Sequence, residues 1–243
     1  MDRRIMLFAA WLFAVCLSAA AGCRPSATVP GATAHRDEPT PQSTTAREQD
    51  SEQTSREADD IEGRDYLPLV VGRVMYYDIS WTPPVGEAKS ATATGDVQAQ
   101  VEIAGKTYFK QVTKISGIPF SPTTVIYFRR APEGVYQVFE GDESKPEWLY
   151  LPAKIKIGDR WSATTVQGDV EFTASGIEDV ETPSGTYRDC LKLSLVIKTA
   201  LGKATEDQWL APGVGSVKQV DRNPLFSSTT VLKEVSDGDD QAK

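Results

Sequence analysis

The chain has 243 residues but a single histidine, His35, and only three cysteines, Cys16, Cys23 and Cys190. With no histidine beyond position 35, neither a Ser–His–Asp nor a Cys–His centre can be assembled from the long C-terminal part of one chain. Histidine-based zinc binding is excluded there for the same reason, and one cysteine cannot form a thiolate cage or a disulfide framework. Basic residues are outnumbered, 26 Lys and Arg against 34 Asp and Glu, for a net charge of −8. That balance provides no face suited to neutralising phosphates, so nucleic acid is not an expected partner. Helical patterning is also missing: from Tyr66 to Val235 no stretch of ten or more residues places apolar side chains three and four positions apart. No enzymatic activity, cofactor or metal is expected from these residues.

An apolar N-terminal run is present. Arg3 and Arg4 precede it, it extends from Ile5 to Ala21, and small residues follow. It is shorter than the about 20 residues a spanning helix needs and has the plan of an export signal. The run closes on Ala20-Ala21-Gly22-Cys23, which resembles a bacterial lipobox, with Ala20 where the pattern usually has leucine. The resemblance implies a signal peptide over residues 1–22, lipidation of Cys23 and a palmitate-bearing anchor in a membrane. A plain secretory signal cleaved after Ala21 is the alternative. Arg24 rather than aspartate follows the cysteine, which under the enteric sorting rule leans toward the outer membrane, with the protein facing the periplasm.

Residues 23–63 read as a tether. Beyond the cysteine they contain almost no large apolar side chain and are rich in Pro, Ser, Thr and Ala, with four arginines against nine acids. Such a segment cannot bury enough surface to offset the entropy of ordering. About 40 flexible residues span roughly 35 Å root-mean-square, enough to hold a domain off a membrane surface while keeping it close. Residues 236–243 read as an acidic disordered tail; Asp237-Gly238-Asp239-Asp240 lacks the spacing of a calcium loop.

Between them, residues 64–235 read as an all-β domain. Met75, Tyr77, Ile79 and Trp81 alternate with Tyr76, Asp78 and Ser80, and Val97, Ala99, Val101 and Ile103 alternate with polar residues. Leu191, Leu193, Leu195 and Ile197 repeat the pattern. Turn signals at 82–84, 104–106, 132–134, 183–185, 201–203 and 212–213 divide the runs into about ten to twelve strands, the density of an antiparallel curved sheet, half-barrel or barrel. Short motifs recur at offsets of about 80 residues. Leu67-Pro68 to Gly72 returns as Leu151-Pro152 to Gly158, Gly105-Lys106-Thr107-Tyr108 as Gly185-Thr186-Tyr187, and Ala131-Pro132 to Val138 as Ala211-Pro212 to Val220. Their shared order predicts two ~80-residue repeats.

Leu67-Pro68 to Gly72, Trp148-Leu149-Tyr150-Leu151-Pro152, Gly158-Asp159-Arg160-Trp161, Pro183-Ser184-Gly185-Thr186-Tyr187 and Trp209 to Lys218 together resemble bacterial envelope lipoproteins whose curved antiparallel sheet is similar to the half-barrel of the LolA/LolB carriers. The resemblance covers residues 66–221 and implies the fold more than a function. Those carriers cover the concave face with helices, and this chain has no helix to do so. The sheet must therefore close more fully, or a ligand or partner must fill it.

Few residues present chemistry. Ala211-Pro212-Gly213-Val214-Gly215-Ser216-Val217-Lys218 has the look of a phosphate loop, but such a loop opens a helix, whereas both flanks here read as strand, so it is expected to be a hairpin turn. Cys190, beside Asp189 and near Arg188 and Lys192, is expected to be a small packed side chain rather than a reactive thiol. Asp142-Glu143 and Glu178-Asp179 with Glu181 are the carboxylates that a hydrolase would pair, and are expected to be solvated charge. Trp81, Trp148, Trp161 and Trp209 and the tyrosines would build a core or line an apolar site. The expectation is an anchored, non-enzymatic β-domain that binds an apolar ligand or an envelope partner, with docking on another envelope protein as the structural alternative.

Overall fold

The computed structural model describes residues 60–83, 85–118, 122–140, 147–165, 168–199, 202–224 and 226–238. Fourteen strands run through them. In chain order they are β1 (Ile61–Glu62), β2 (Val74–Thr82), β3 (Lys89–Ile103), β4 (Lys106–Ser116), β5 (Thr123–Ala131), β6 (Gly134–Phe139) and β7 (Trp148–Pro152). There follow β8 (Lys154–Ile155), β9 (Arg160–Thr165), β10 (Gly168–Thr182), β11 (Gly185–Thr199), β12 (Gly202–Ala211), β13 (Gly215–Asn223) and β14 (Phe226–Ser236). Among the described residues the helical structure is one 3₁₀ turn, Gly63–Tyr66, and no α-helix.

Twelve strands form one antiparallel sheet in the order β7-β6-β5-β4-β3-β2-β14-β13-β12-β11-β10-β9. The path is an up-and-down meander closed by β14 against β2, where Thr230 faces Ile79. The sheet curls into a nearly closed barrel, more complete than the half-barrel the carrier resemblance implies. Its one unladdered seam lies between β7 and β9, the two ends of the order. Long strands bend at bulges, among them Val97/Ala99 in β3 and Ala174/Gly176 in β10, which supply the local twist that closure requires. Tight turns at 104–105, 132–133, 183–184 and 212–214 fall where the sequence signals place them.

The repeated motifs mark equivalent places. Leu67–Gly72 precedes the six-strand run β2–β7, and Leu151–Gly158 precedes the six-strand run β9–β14. The turns at 132–133 and 212–214 follow the fourth strand of each run. The two halves therefore share one topology.

Side chains close the seam where backbone pairing stops. Phe172 stacks on Trp161 at 5.3 Å and meets Trp148 and Tyr150 with ring centroids 6.0 and 6.2 Å away. These rings join Val170, Leu191, Leu193, Leu195 and Leu210 in the main core. The alternation in β11 lands as expected: Leu191, Leu193, Leu195 and Ile197 are all buried.

Residues 60–73 form a strap across one end of the barrel. The Gly63 amide donates to the Ala153 carbonyl (2.9 Å), Arg64 donates to the Pro132 carbonyl (3.1 Å), and the Gly213 amide donates to the Asp65 carbonyl (2.7 Å). The Tyr66 hydroxyl donates to the Asp189 carbonyl at 3.1 Å, and the Gly72 amide to the Val97 carbonyl at 2.8 Å. Tyr66 and Leu69 anchor the strap in the core. Within the strap β1 pairs with β8 through Ile61 and Ile155. At the other terminus Asp237, read as part of the acidic tail, binds Arg73 at 2.7 Å. The signal, Cys23, His35 and the rest of residues 1–59 lie outside the described residues, as do positions 239–243.

Candidate ligand cavity in the barrel lumen

The two walls of the barrel are filled unequally. On β10 and β11 the inward positions carry Phe172, Leu191, Leu193 and Leu195, all essentially without exposure. On β3 and β4 the inward positions include Ala93 and Thr113, and Gly95 faces Tyr77 and Gln111 with no side chain of its own. Small residues on one wall do not meet large ones on the other, so a cavity of about 210 Å³ remains. The strap residues Leu67, Pro68 and Leu69 line its capped end. Ile79, Ile115, Ile126 and Phe128 continue an apolar wall.

A polar band crosses this apolar lining. Tyr150 on β7 donates its hydroxyl to Gln208 on β12, and Gln208 reaches Ser216 at 3.4 Å. Gln137, 2 % exposed, and Glu206, 7 % exposed, also line the cavity. Glu206 sits opposite Asp221 in the β12–β13 ladder. Asp221 is held by Gln219 and Ser228, both at 3.0 Å. Among the described residues no hydrogen bond is made by the Glu206 or Gln137 side chain.

The electrostatics follow from this enclosure. Burial, reinforced by the acids Asp221 and Asp207, raises the Glu206 carboxyl well above the usual carboxylate range. Burial also raises Asp221, to about 6, although Gln219, Ser228 and the charge of Arg222 act the other way. Tyr77 and Tyr150 are pushed up by burial as well. The charged side chains in the cavity wall are Arg73 and Glu206, and Arg73 is bound by Asp237 and the Gly213 carbonyl.

The sequence candidates are placed elsewhere. Cys190 is fully buried, and desolvation with Asp179 and Asp189 raises its thiol to about 11, which suppresses the thiolate. Glu178 pairs with Lys192 at 3.1 Å, and Asp179 accepts the Asp189 amide at 3.1 Å. Glu181 is exposed on β10. Asp142 and Glu143 lie outside the described residues. Within residues 211–220 the turn is confined to 212–214, between β12 and β13, and is closed by the Val214 amide on the Ala211 carbonyl at 3.1 Å. Trp148 and Trp161 are seam residues, Trp209 lies beneath Lys192 and Lys218, and Trp81 beneath Lys89. Of the tyrosines, Tyr77 and Tyr150 reach the cavity.

Glu206 and Asp221 were not among the sequence candidates. The available signal was phase: Ala204, Glu206, Gln208 and Leu210 share one face of β12, and all are buried. A charged residue in the apolar phase of a strand marks a wall that is not simply core.

Comparison with known proteins touches the same region. Residues 163–232, which run from β9 to β14 and include both buried acids, are similar to a family described as DUF3108-like. A search of curated proteins finds no match to the chain. Among solved structures, the chain is similar to a Bacteroides fragilis NCTC 9343 protein inferred to be exported, with a YmcC-like fold. The identity is 15 % over 68 % of this chain and 96 % of that one, with a TM-score of 0.40. A Parabacteroides distasonis ATCC 8503 protein inferred to be a lipoprotein matches at 14 % identity over 70 % of this chain and 98 % of its own, also at 0.40.

Proposed function

We propose that this protein is a lipid-anchored lipoprotein of a bacterial envelope, held by Cys23, whose barrel binds a small apolar ligand without catalysis. The lumen cavity carries the ligand reading: an apolar wall, a few convergent polar groups and about 210 Å³ of space are the attributes of a ligand site. Size limits the occupant. An apolar cavity of about 150 Å³ takes one benzene, whereas drug-sized ligands need roughly 300–1,000 Å³. The lumen therefore suits a short alkyl chain or a small ring system, and a full-length lipid tail would leave most of itself outside. Anchoring is supported by the export-signal pattern ending in Ala20-Ala21-Gly22-Cys23.

Two measurements test these parts. Labelled palmitate should enter the wild-type chain, and Cys23→Ser should lose both the label and sedimentation with membranes; a variant that still sediments overturns the anchor. Solvent extracts of the purified protein should contain a small apolar molecule by mass spectrometry, and 1-octanol should bind the Cys23→Ser chain saturably by calorimetry. A clean extract together with no saturable binding overturns the ligand reading.

A further inference from the structure

We propose that the lumen selects a ligand with a cationic amine head, seated on Glu206, and a short apolar body. This rests on the lumen being a ligand site and names the chemistry it accepts. Glu206 projects from β12 into the cavity wall, nine-tenths buried, with no hydrogen-bond partner among the described residues. Its neighbouring acids are already committed. Asp221 is held by Gln219 and Ser228, and Asp207 by Ser194 at 2.7 Å and Arg222 at 3.0 Å. Glu206 is therefore the acid in this group left open toward the lumen.

Among the described residues no cation of the wall is free to serve it, since Arg73 is engaged at the strap end. The charges that act on Glu206 are those of Asp221 on β13 and Asp207 on its own strand, both acidic, and the Tyr150 hydroxyl on β7 senses Glu206 in turn. An isolated buried carboxylate is costly, and one given a counter-ion with hydrogen bonds is not. An ammonium supplies that counter-charge and three N–H donors. Gln137, also buried in the wall with no side-chain hydrogen bond among the described residues, offers a carbonyl acceptor in the same cavity. A fatty acid presents the wrong charge: its carboxylate would enter beside two acids and find no free cation. An alcohol can hydrogen-bond but brings no counter-charge.

The test compares octylamine, 1-octanol and octanoate by titration calorimetry at pH 7, on the complete mature chain carrying Cys23→Ser. Octylamine should bind about ten- to a hundred-fold tighter than octanol, the span expected of a charged over a neutral hydrogen bond, and octanoate should bind weakest. Glu206→Gln should bring the octylamine-to-octanol ratio to near one, with circular dichroism reporting whether the variant folds. The wild-type series decides the matter even if that variant does not fold. Octanol binding with octylamine no tighter overturns the amine inference and leaves the ligand cavity standing, as does octanoate binding tightest. Failure of all three ligands overturns the amine inference, and together with a clean solvent extract overturns the ligand cavity as well.

Discussion

Replacing Glu147 by glutamine should weaken the barrel at neutral pH and have almost no effect in strong acid. Glu147 stands immediately before β7 and gathers three donors from two strands, β4 and β5. Arg129 on β5 binds it in bidentate fashion, Lys106 on β4 donates at 2.8 Å, and the Tyr108 hydroxyl donates at 2.7 Å. Its side chain is 11 % exposed and that of Arg129 20 %, while Lys106 is half-exposed at 52 %. Burial opposes the charge on Glu147, but the hydrogen bonds from Arg129, Lys106 and Tyr108 outweigh it and lower the carboxyl from 4.5 to about 2. At 1.36 kcal/mol per pH unit, that depression corresponds to roughly 3 kcal/mol. The share due to exposed Lys106 is below about 1 kcal/mol. Glutamine keeps an oxygen for Tyr108 but leaves Arg129 without its counter-charge, so the loss at pH 7 should be about 2–3 kcal/mol.

The sign of the pH dependence is set by the depressed value. Stability from Glu147 is fully present above the unfolded value near 4.5 and is lost as pH falls toward about 2. Urea unfolding at intervals from pH 2 to pH 8 measures it, with tryptophan fluorescence as the probe because the adjacent Trp148 is buried. The wild-type and Glu147→Gln midpoints should separate above pH 5 and converge near pH 2. A gap below about 0.5 kcal/mol at pH 7, as for an ordinary surface substitution, or a gap undiminished at pH 2, would refute the reasoning.

Phe172→Ala empties the centre of the aromatic group at the β7–β9 seam and should cost about 3–5 kcal/mol in the same urea assay; a cost under about 1 kcal/mol would mean that something else closes the seam. Gly63→Ala would place a Cβ 2.0 Å from the Pro152 carbonyl oxygen, so the strap must shift and weaken the Gly63–Ala153 bond. Hydrogen exchange should then speed up at Gly72 and Gly213, whose amides join strap to barrel, while the β11 core amides stay protected; unchanged exchange at both glycines counts against the strap.

Much of the fold was legible because strands have period two. The Leu191–Ile197 alternation names the buried face of β11 directly, and Gly-containing turns at 104–105 and 212–214 mark the ends of strands. The strap boundary was less legible. Apart from Ile61, Asp60–Gly63 are polar or small, and what holds them is largely backbone pairing, Ile61 with Ile155 and the Gly63 amide with the Ala153 carbonyl. Composition does not register such pairing. The candidate site was missed for a related reason: a glutamate in a strand is normally read as facing water, and Glu206 becomes lumenal only through the phase it shares with Ala204, Gln208 and Leu210.

The sequence by itself determined that the domain is β-structured, that it is cut into about a dozen strands, and that no histidine lies within it. These follow from local properties: alternation, turn residues and the absence of particular side chains. Only the tertiary structure decided that β14 closes on β2 while β7 and β9 do not pair with each other, and that Phe172 and its neighbours fill one wall while Ala93, Gly95 and Thr113 leave the other hollow. It also decided that Glu206 faces Asp221 across a ladder inside that hollow. Each of these depends on which distant strands become neighbours, and burial, with the electrostatics it creates, is a property of that neighbourhood.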